Sequence, residues 1–154
     1  MVSKDFNIKS LRAIPLFSSL PDERLEELRP ALKVMKVGAG EAVVREGDSA
    51  TRLYVLVKGE VQVVKNYLEP GAQTVDVMKS GSFFGEMALM AEDSVRSASV
   101  VTSEECNFLA LERDAFKQFV ERNPDVAYLL LKEAFRRLRQ ANELIASLQK
   151  DRPE

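Results

Sequence analysis

Short runs of β-forming residues, separated by glycines and turn residues, fill the middle of this chain and limit the folds open to it. The predicted strands cover residues 32–37, 42–46, 52–58, 60–65, 73–79, 97–102 and 106–111, and residues 69–71 form the tip of a long hairpin. We attribute the glycines at or beside the breaks to turns with positive φ; they are Gly38, Gly40, Gly47, Gly59, Gly71 and Gly81. This pattern predicts a β-sandwich, jelly roll or barrel over residues 32–111.

Helical patterns lie on both sides of this β-rich region. Residues 7–30 are a helical lead-in that we expect to cap the barrel. Residues 112–150 hold two C-terminal helices. The second helix starts at Asn123 and Pro124, because asparagine is a preferred N-cap and proline suits the first helical position. The predicted fold class is therefore α+β, with about eight strands, N-terminal helices and a long C-terminal helix.

The long C-terminal helix carries apolar residues at the a and d spacing of a coiled coil. They are Leu131, Ala134, Leu138, Ala141, Ile145 and Leu148. This seam favours a homodimer through residues 131–148. The alternative is that the helix packs on its own barrel, with its apolar face widened near its start by Tyr128, Leu129, Leu130 and Phe135. We expect barrel packing at the N-terminal end of the helix and pairing with a second protomer beyond it.

Length and charge narrow the classes of partner. The 154 residues suit one globular domain, residues 1–154, with 45% hydrophobic and 30% charged residues. The formal net charge is −2, which argues against a surface dedicated to nucleic acid, and too few residues follow Lys150 for a helix-turn-helix. We therefore expect no DNA contact by this chain. No apolar run is long enough for a signal sequence or a membrane span, which predicts a cytoplasmic protein.

The numbers of histidine and cysteine residues limit the metal sites and the catalytic mechanisms that the chain can support. The chain has no histidine and one cysteine, Cys106, so the usual zinc, haem and other transition-metal ligand sets are excluded. The same counts exclude Ser-His-Asp and Cys-His catalysis. We expect a protein that is not an enzyme and has no cofactor or metal, and a single cysteine suits a reducing compartment.

Residues 84–100 form the most specific motif in the sequence. Gly85 lacks a Cβ, so a ligand can approach the backbone there, and the helix-forming residues after it can point free N–H groups at an anion. Arg96 offers a planar fork of donors that fits a phosphate, whereas Glu86 is an acceptor suited to a hydroxyl. The motif predicts a ligand with both a phosphate and a sugar hydroxyl. The alternative is an ion pair between Glu86 and Arg96 that closes a loop, but such a pair needs none of the small residues Gly85, Ala88, Ser97 and Ala98.

This motif resembles the phosphate-binding cassette of the cyclic nucleotide-binding domain, with FGEMALM at residues 84–90 and RSASV at residues 96–100. That family includes catabolite-activator-like regulators, cyclic-nucleotide-dependent kinases and gated channels. The resemblance implies a jelly-roll barrel with a short cassette helix. It also implies that the arginine binds the cyclic phosphate, the glutamate accepts from the ribose 2′-hydroxyl, and backbone N–H groups complete the site. The predicted ligand-binding residues are Gly85, Glu86, Met87, Ala88, Arg96, Ser97, Ala98 and Asn142.

The sequence indicates less clearly how the base of the nucleotide is recognised than how its phosphate is bound. Ser97 carries a hydroxyl able to bond a purine, but both cyclic-AMP-reading and cyclic-GMP-reading members of the family use such a group. The positions that reach adenine from the C-terminal helix in catabolite-activator-like members correspond to Ala141 and Asn142. Asn142 either bonds a base edge or sets the register of a coiled coil. We expect cyclic AMP as the ligand, with cyclic GMP as the alternative.

The predicted function is a cyclic-nucleotide sensor that signals through its C-terminal helix to a second copy or to an effector protein or domain. A second hypothesis is a degenerate barrel that dimerises or binds proteins without nucleotide. A third, an enzyme on a cupin-like barrel, conflicts with the absence of histidine. We expect Met78, Met87 and Met90 chiefly to fill the core, with lining of the base as a minor role.

Overall fold

The computed structural model describes residues 7–85 and 95–150, which form two antiparallel sheets with helices at both ends. The helices are α1 Ile8–Arg12, α2 Asp22–Leu28, α3 Arg113–Arg122 and α4 Pro124–Lys150, with 3₁₀ turns at Pro15–Phe17 and Arg29–Ala31. The strands are β1 Lys33–Val37, β2 Ala42–Val44, β3 Arg52–Lys58, β4 Glu60–Lys65, β5 Gln73–Lys79, β6 Phe83–Phe84, β7 Ser99–Thr102 and β8 Cys106–Glu112. One sheet has the order β1-β8-β3-β6 and the other β2-β7-β4-β5.

This architecture confirms the predicted fold class of an α+β protein with an eight-stranded, two-sheet barrel. Strands β3, β4 and β5 have the predicted bounds, and β1 and β8 differ from them by one residue. Strand β7 begins two residues later than predicted, because the backbone at Ser97 and Ala98 bends before it enters the sheet. The predicted short cassette helix falls within residues 86–94, outside the described residues.

The turn glycines follow the prediction with one exception. Five of the six have a positive φ, but Gly38 does not. An added Cβ at Gly38 would meet only the Glu41 carboxylate, at an ordinary 3.7 Å. At Gly59, by contrast, φ is +115° and a Cβ would lie 2.5 Å from Cys106 Sγ. At residue 59 both the positive φ and the lack of room for a Cβ require glycine. At residue 38 the backbone φ and the surrounding space would both accept another residue.

Strand β3 separates two hydrophobic cores. Its residues alternate between the two faces of the sheet, as a strand requires. Leu53 and Val55 pack with the helices, in a core that includes the edge-to-face pair of Phe17 and Phe119. Tyr54 and Leu56 point into the barrel, where they join a core whose other members include Val61, Met78, Phe84, Val100, Cys106, Phe108 and Ala110. The burial of Met78 agrees with its expected core-filling role.

Helix α4 leaves the barrel about halfway along its length. Val126 and Leu130 are buried, whereas every residue from Leu138 to Lys150 is exposed. Asn123 directly precedes α4, as predicted, but its side-chain amide donates to Phe119 O at 2.9 Å and so closes α3. Among the helices of residues 7–85 and 95–150, none combines the length and the hydropathy needed to cross a bilayer.

Candidate ligand-binding site

Arg96 lies between an isolated bridge and the start of β7, and its backbone is tied to a neighbouring turn. Val95 forms a bridge with Ser49. Arg96 N donates to Asp48 O at 2.8 Å, and Gly47 N donates to Arg96 O at 2.8 Å. These two hydrogen bonds fix the backbone of Arg96 against the turn at residues 47–48.

The Arg96 side chain is buried and oriented by strand β3. The residue is 6% exposed. Its Nη2 donates to the Arg52 carbonyl oxygen at 2.6 Å, and its Cζ lies 5.7 Å from the centroid of the Tyr54 ring. The Tyr54 ring in turn stacks on Phe84 at 5.1 Å. A full positive charge is thus held in a fixed position beside an aromatic stack, an arrangement that favours an anionic ligand.

Gly85 makes room for this guanidinium. Its φ is +98°, and a Cβ added there would lie 2.3 Å from Arg96 Nη1 and 2.8 Å from Arg52 O. The sequence had suggested that Gly85 lets a ligand approach the backbone. The structure shows a packing reason for the glycine as well, because the space that a Cβ would fill is taken by the Arg96 guanidinium. The approach of a ligand to the Gly85 backbone stays a prediction.

A second cluster holds the chain just after Arg96. Lys65 Nζ donates to Ser97 O at 2.5 Å and pairs with Glu46 Oε2 at 3.3 Å. Glu46 N donates to Ser99 Oγ at 3.0 Å, and Asn66 N donates to the Glu46 carboxylate at 3.0 Å. This last bond is the main reason that the pKa of Glu46 is lowered. The turn after β2, the end of β4 and residues 97–99 are therefore held as one unit.

Of the other predicted ligand-binding residues in the motif, the structure describes only Ser97 and Ala98. Ser97 is exposed and Ala98 is half-buried, both next to Arg96. Glu86, Met87, Ala88 and Met90 lie outside the described residues. The alternative of an ion pair between Glu86 and Arg96 therefore concerns a residue that the structure does not describe. The structure brings Gly85 next to Arg96, and Ser97 and Ala98 follow Arg96 in the chain. The ligand-binding role of these residues stays a prediction.

Asn142 and Ala141 are not brought to Arg96. Both are exposed on the outer half of α4. The side chain of α4 that bonds β6 is that of Arg137, whose Nη2 donates to Phe83 O at 3.0 Å. Asn142 lies five residues farther along the helix, which is about 7.5 Å at 1.5 Å per residue.

Residues from other elements that orient Arg96 and Ser97 were not predicted from the sequence. Tyr54 and the Arg52 carbonyl come from β3, Lys65 from β4, and Arg137 from α4. No local signal in the sequence paired Tyr54 with Arg96. Within the described part of the chain, no group of three or more Asp, Glu, Cys or His residues is arranged to hold a metal ion.

Comparison with known proteins places this geometry in a family. The family model of the cyclic nucleotide-binding domain matches residues 34–123. Human cGMP-dependent protein kinase 2 is 32% identical over 114 residues, which are 71% of this chain and 15% of the kinase. The cyclic AMP receptor protein of Thermus thermophilus is 31% identical over 132 residues, which are 86% of this chain and 61% of that protein.

A solved structure supports the same assignment. The crystal structure of the Thermus thermophilus catabolite activator protein superimposes with a TM-score of 0.76 at 30% identity, covering 88% of this chain and 63% of that chain. This chain spans less than two thirds of each of these three relatives. The matched residues run from β1 to the end of α3 and include Gly85 and Arg96. The chain belongs to the cyclic nucleotide-binding domain family.

Proposed function

We propose that residues 1–154 form one sensor domain that binds a cyclic nucleotide, preferentially cyclic AMP, and signals through α4. The observation that carries this proposal is the buried guanidinium of Arg96, packed against Gly85 in a chain of this family. The domain does no chemistry on its ligand and needs no cofactor. It acts in the cytoplasm without contacting DNA, through a second copy or an effector.

The contacts of Arg96 explain how a phosphate is bound. The Arg52 carbonyl and the Tyr54 ring hold the guanidinium in one orientation, so little side-chain freedom remains to be lost when a ligand arrives. A charge-assisted bidentate contact to the cyclic phosphate is strong in a position that excludes water. Glu86 then accepts from the ribose 2′-hydroxyl, and the backbone at Met87, Ala88, Ser97 and Ala98 lines the phosphate.

The preference for cyclic AMP is supported by relatives that are named for this nucleotide. The cyclic AMP receptor protein matches 86% of this chain, and regulatory subunits of cAMP-dependent protein kinases match 71%, the same share as the kinase named for cyclic GMP. Ser97 is exposed, and its hydroxyl suits the base of either nucleotide. Of the two roles left open for Asn142, its exposed position beside the a and d seam supports register setting.

We further propose a homodimer through the outer half of α4. Leu131, Leu138, Ile145 and Leu148 are each at least 50% exposed, so the predicted seam faces away from its own barrel. The buried apolar residues of α4, Val126 and Leu130, lie near its start. A second α4 covers the seam by knobs-into-holes packing.

Calorimetric titration with cyclic AMP and cyclic GMP tests the ligand. The protein is expected to bind cyclic AMP more tightly than cyclic GMP. Arg96→Gln should abolish binding, and Arg96→Lys should weaken it strongly, because an ammonium cannot make the bidentate contact. Arg113→Gln is the matched control, since Arg113 Nη2 also donates to a strand-edge carbonyl at 2.6 Å, that of Ala50, outside the cassette.

Two results would contradict the proposal. Unchanged affinity in a folded Arg96→Gln variant would show that the arginine does not bind the phosphate. A flat titration of the unmodified protein with both nucleotides would instead support the second hypothesis, a degenerate barrel that serves as an interaction module. Thermal unfolding of each variant, followed by circular dichroism, shows that the barrel remains folded.

A further inference from the structure

A surface cleft of about 90 Å³ lies between α2 and α3. One face of each helix forms its walls, because the lining residues recur at helical spacing. They include Arg24, Glu27 and Leu28 in α2, and Ala115, Phe119 and Arg122 in α3. An engineered apolar cavity of about 150 Å³ binds benzene, so this smaller cleft suits one branched aliphatic group.

The floor of the cleft is apolar and is continuous with the core that packs with the helices. Leu28 and Phe119 are buried members of that core. Ala31 and Ala115 also line the cleft, are half-buried and pack against the same core. Their short side chains leave room that a longer side chain at either position would fill. The cleft therefore offers an apolar surface to a side chain from outside.

Two arginines, one from each helix, meet at the rim of the cleft. Glu27 Oε2 lies 3.3 Å from Arg24 Nη1 and 3.7 Å from Arg122 Nη1, so one carboxylate draws both guanidinium groups together. The side chains of Arg24 and Arg122 are 42% and 64% exposed, which leaves guanidinium donors within reach of a ligand. Two positive charges and one negative charge line the cleft, so it carries a net charge of +1.

We propose that this cleft docks a peptide segment of a partner protein that presents an aliphatic side chain beside a carboxylate. The aliphatic side chain lies on the apolar floor. The carboxylate accepts from Arg24 and Arg122 and balances the net charge of the lining. An open cleft with an exposed rim suits a protein segment better than a free metabolite, because small-molecule sites usually bury most of their ligand.

The cleft is separate from the candidate ligand-binding site. Leu28 and Phe119 belong to the core on one side of β3, whereas Arg96 lies against Tyr54, a member of the core on the other side. A peptide in the cleft therefore does not occupy the space of a nucleotide at Arg96. Docking in the cleft goes beyond the proposed function and is tested without any nucleotide, so either can fail while the other stands.

Three capped dipeptides test the two parts of this ligand by amide NMR titration. N-acetyl-Asp-Leu amide carries both groups and is expected to shift the signals of residues 24–31 and 115–123, with a Kd of about 1 mM because it buries little surface. N-acetyl-Asn-Leu amide lacks the charge and should bind about 3- to 30-fold more weakly, the range for two exposed ion pairs. N-acetyl-Asp-Ala amide lacks the aliphatic group and should bind about 10-fold or more weakly.

Substitution of both rim arginines tests their role directly. In the double variant Arg24→Gln and Arg122→Gln, the Asp-Leu and Asn-Leu probes should bind equally, because no guanidinium remains to distinguish a carboxylate from an amide. Arg29→Gln is the matched control, because Arg29 also pairs with a glutamate three residues away, Glu26 at 3.8 Å, but does not line the cleft. The control should keep the difference between the two probes.

Ala115→Leu tests the floor, because the added carbon atoms would occupy the cleft. It should weaken binding of the Asp-Leu probe about 10-fold or more, since the leucine of the probe can no longer be buried. Ala115→Ser adds a single atom and should retain binding. Thermal unfolding followed by circular dichroism shows that each variant is folded, and the arginine variants at the exposed rim serve if Ala115→Leu does not fold.

Three results would overturn the docking site. The first is a titration in which the Asp-Leu probe leaves the signals of α2 and α3 unchanged. The second is equal binding of the Asp-Leu and Asn-Leu probes to the unmodified protein, or the same difference between them in the double variant as in Arg29→Gln. The third is binding of free isocaproate as tightly as the Asp-Leu probe, which would make the cleft a site for a small aliphatic acid and not for a peptide.

Discussion

Gly85 and Arg96 work as one unit. The glycine has a positive φ, and the volume that a side chain would occupy is filled by the guanidinium. The Arg52 carbonyl and the Tyr54 ring complete the surroundings of the arginine. Substituting either partner therefore changes the other, which makes Gly85 a direct test of how the Arg96 charge is held.

Gly85→Ala is expected to lower the free energy of unfolding by about 2–5 kcal/mol. About 1–2 kcal/mol comes from the positive φ and about 1–3 kcal/mol from overpacking. The steric part arises because the added methyl would lie 2.8 Å from the Arg52 carbonyl oxygen, which belongs to the backbone of a sheet and cannot move away easily. Urea unfolding followed by circular dichroism measures the change.

Gly40→Ala separates the two contributions to this cost. Gly40 also has a positive φ, +75°, but an added Cβ there would meet nothing within 4 Å. Its substitution should cost only about 1–2 kcal/mol. Equal losses in the two variants would mean that the contact of Gly85 with Arg96 has no energetic weight.

The motif at residues 84–100 indicated that Gly85 and Arg96 lie close together, but it did not indicate the contacts that hold Arg96. Gly85, Arg96, Ser97 and Ala98 lie within one motif, so their chemistry and spacing sufficed to bring them together. The supports come from strands and a helix that are distant in sequence, such as Tyr54 in β3 and Lys65 in β4. Their proximity depends on strand order and register, which alternation within a single strand does not specify.

Among the elements, those with a long or regular pattern were predicted well. Strands β3, β4 and β5 show enough alternation and clear turn residues at their ends, whereas the two residues of β6 are too few to show a period. The heptad pattern of α4 indicated both its length and its exposed seam. It did not indicate that a charged residue of α4, Arg137, bonds the barrel while it is paired with Glu133.

The attachment of α4 should depend on pH through Glu133. Hydrogen bonds from Arg136, in the first place, and the nearby charge of Arg137 hold the pKa of Glu133 below its ordinary value of 4.5. A carboxyl with a lowered pKa in the folded state stabilises that state above its ordinary pKa, and this contribution is lost as pH falls through the lowered value. We expect Glu133→Gln to lower the free energy of unfolding by about 0.5–1 kcal/mol at pH 7, the sum of two helical ion pairs.

Urea unfolding between pH 7 and about pH 3 measures this difference, which should shrink toward zero at the acidic end as the native carboxyl becomes protonated. Glu143→Gln is the control, because Glu143 lies on the same helix in its exposed half. It should cause little change at any pH. A difference for Glu133→Gln that stays constant across the whole range would show that the charge of Glu133 does not hold the helix.

The proposed signalling through α4 depends on how the helix is joined to the two cores. The core of helices and the core of the barrel share β3, and α4 extends from the former past the edge of the latter. Its apolar seam remains uncovered within one chain. Contiguous exposed apolar surface of this kind marks an interaction site, and a and d spacing matches a second copy of the same helix.

Leu138→Glu is expected to convert a dimer into a monomer of 17.3 kDa. The substitution places two carboxylates opposite each other and removes two leucines from the interface. At about 1.5–3 kcal/mol for each buried leucine, dimer affinity should fall by about 100-fold or more. The monomer itself should lose little stability, because Leu138 is already 55% exposed within one chain. Light scattering coupled to size-exclusion chromatography, over a range of protein concentrations, measures the mass.

Gln140→Glu introduces the same charge at an exposed position of α4 that is about 200° around the helix from Leu138. It should leave the dimer intact, because it does not lie in the seam. A monomer in the unmodified protein at concentrations of tens of micromolar would rule out a stable interface between two copies. A dimer that withstands Leu138→Glu as well as Gln140→Glu would place the interface elsewhere, since no coiled coil tolerates facing carboxylates in its seam without loss of affinity.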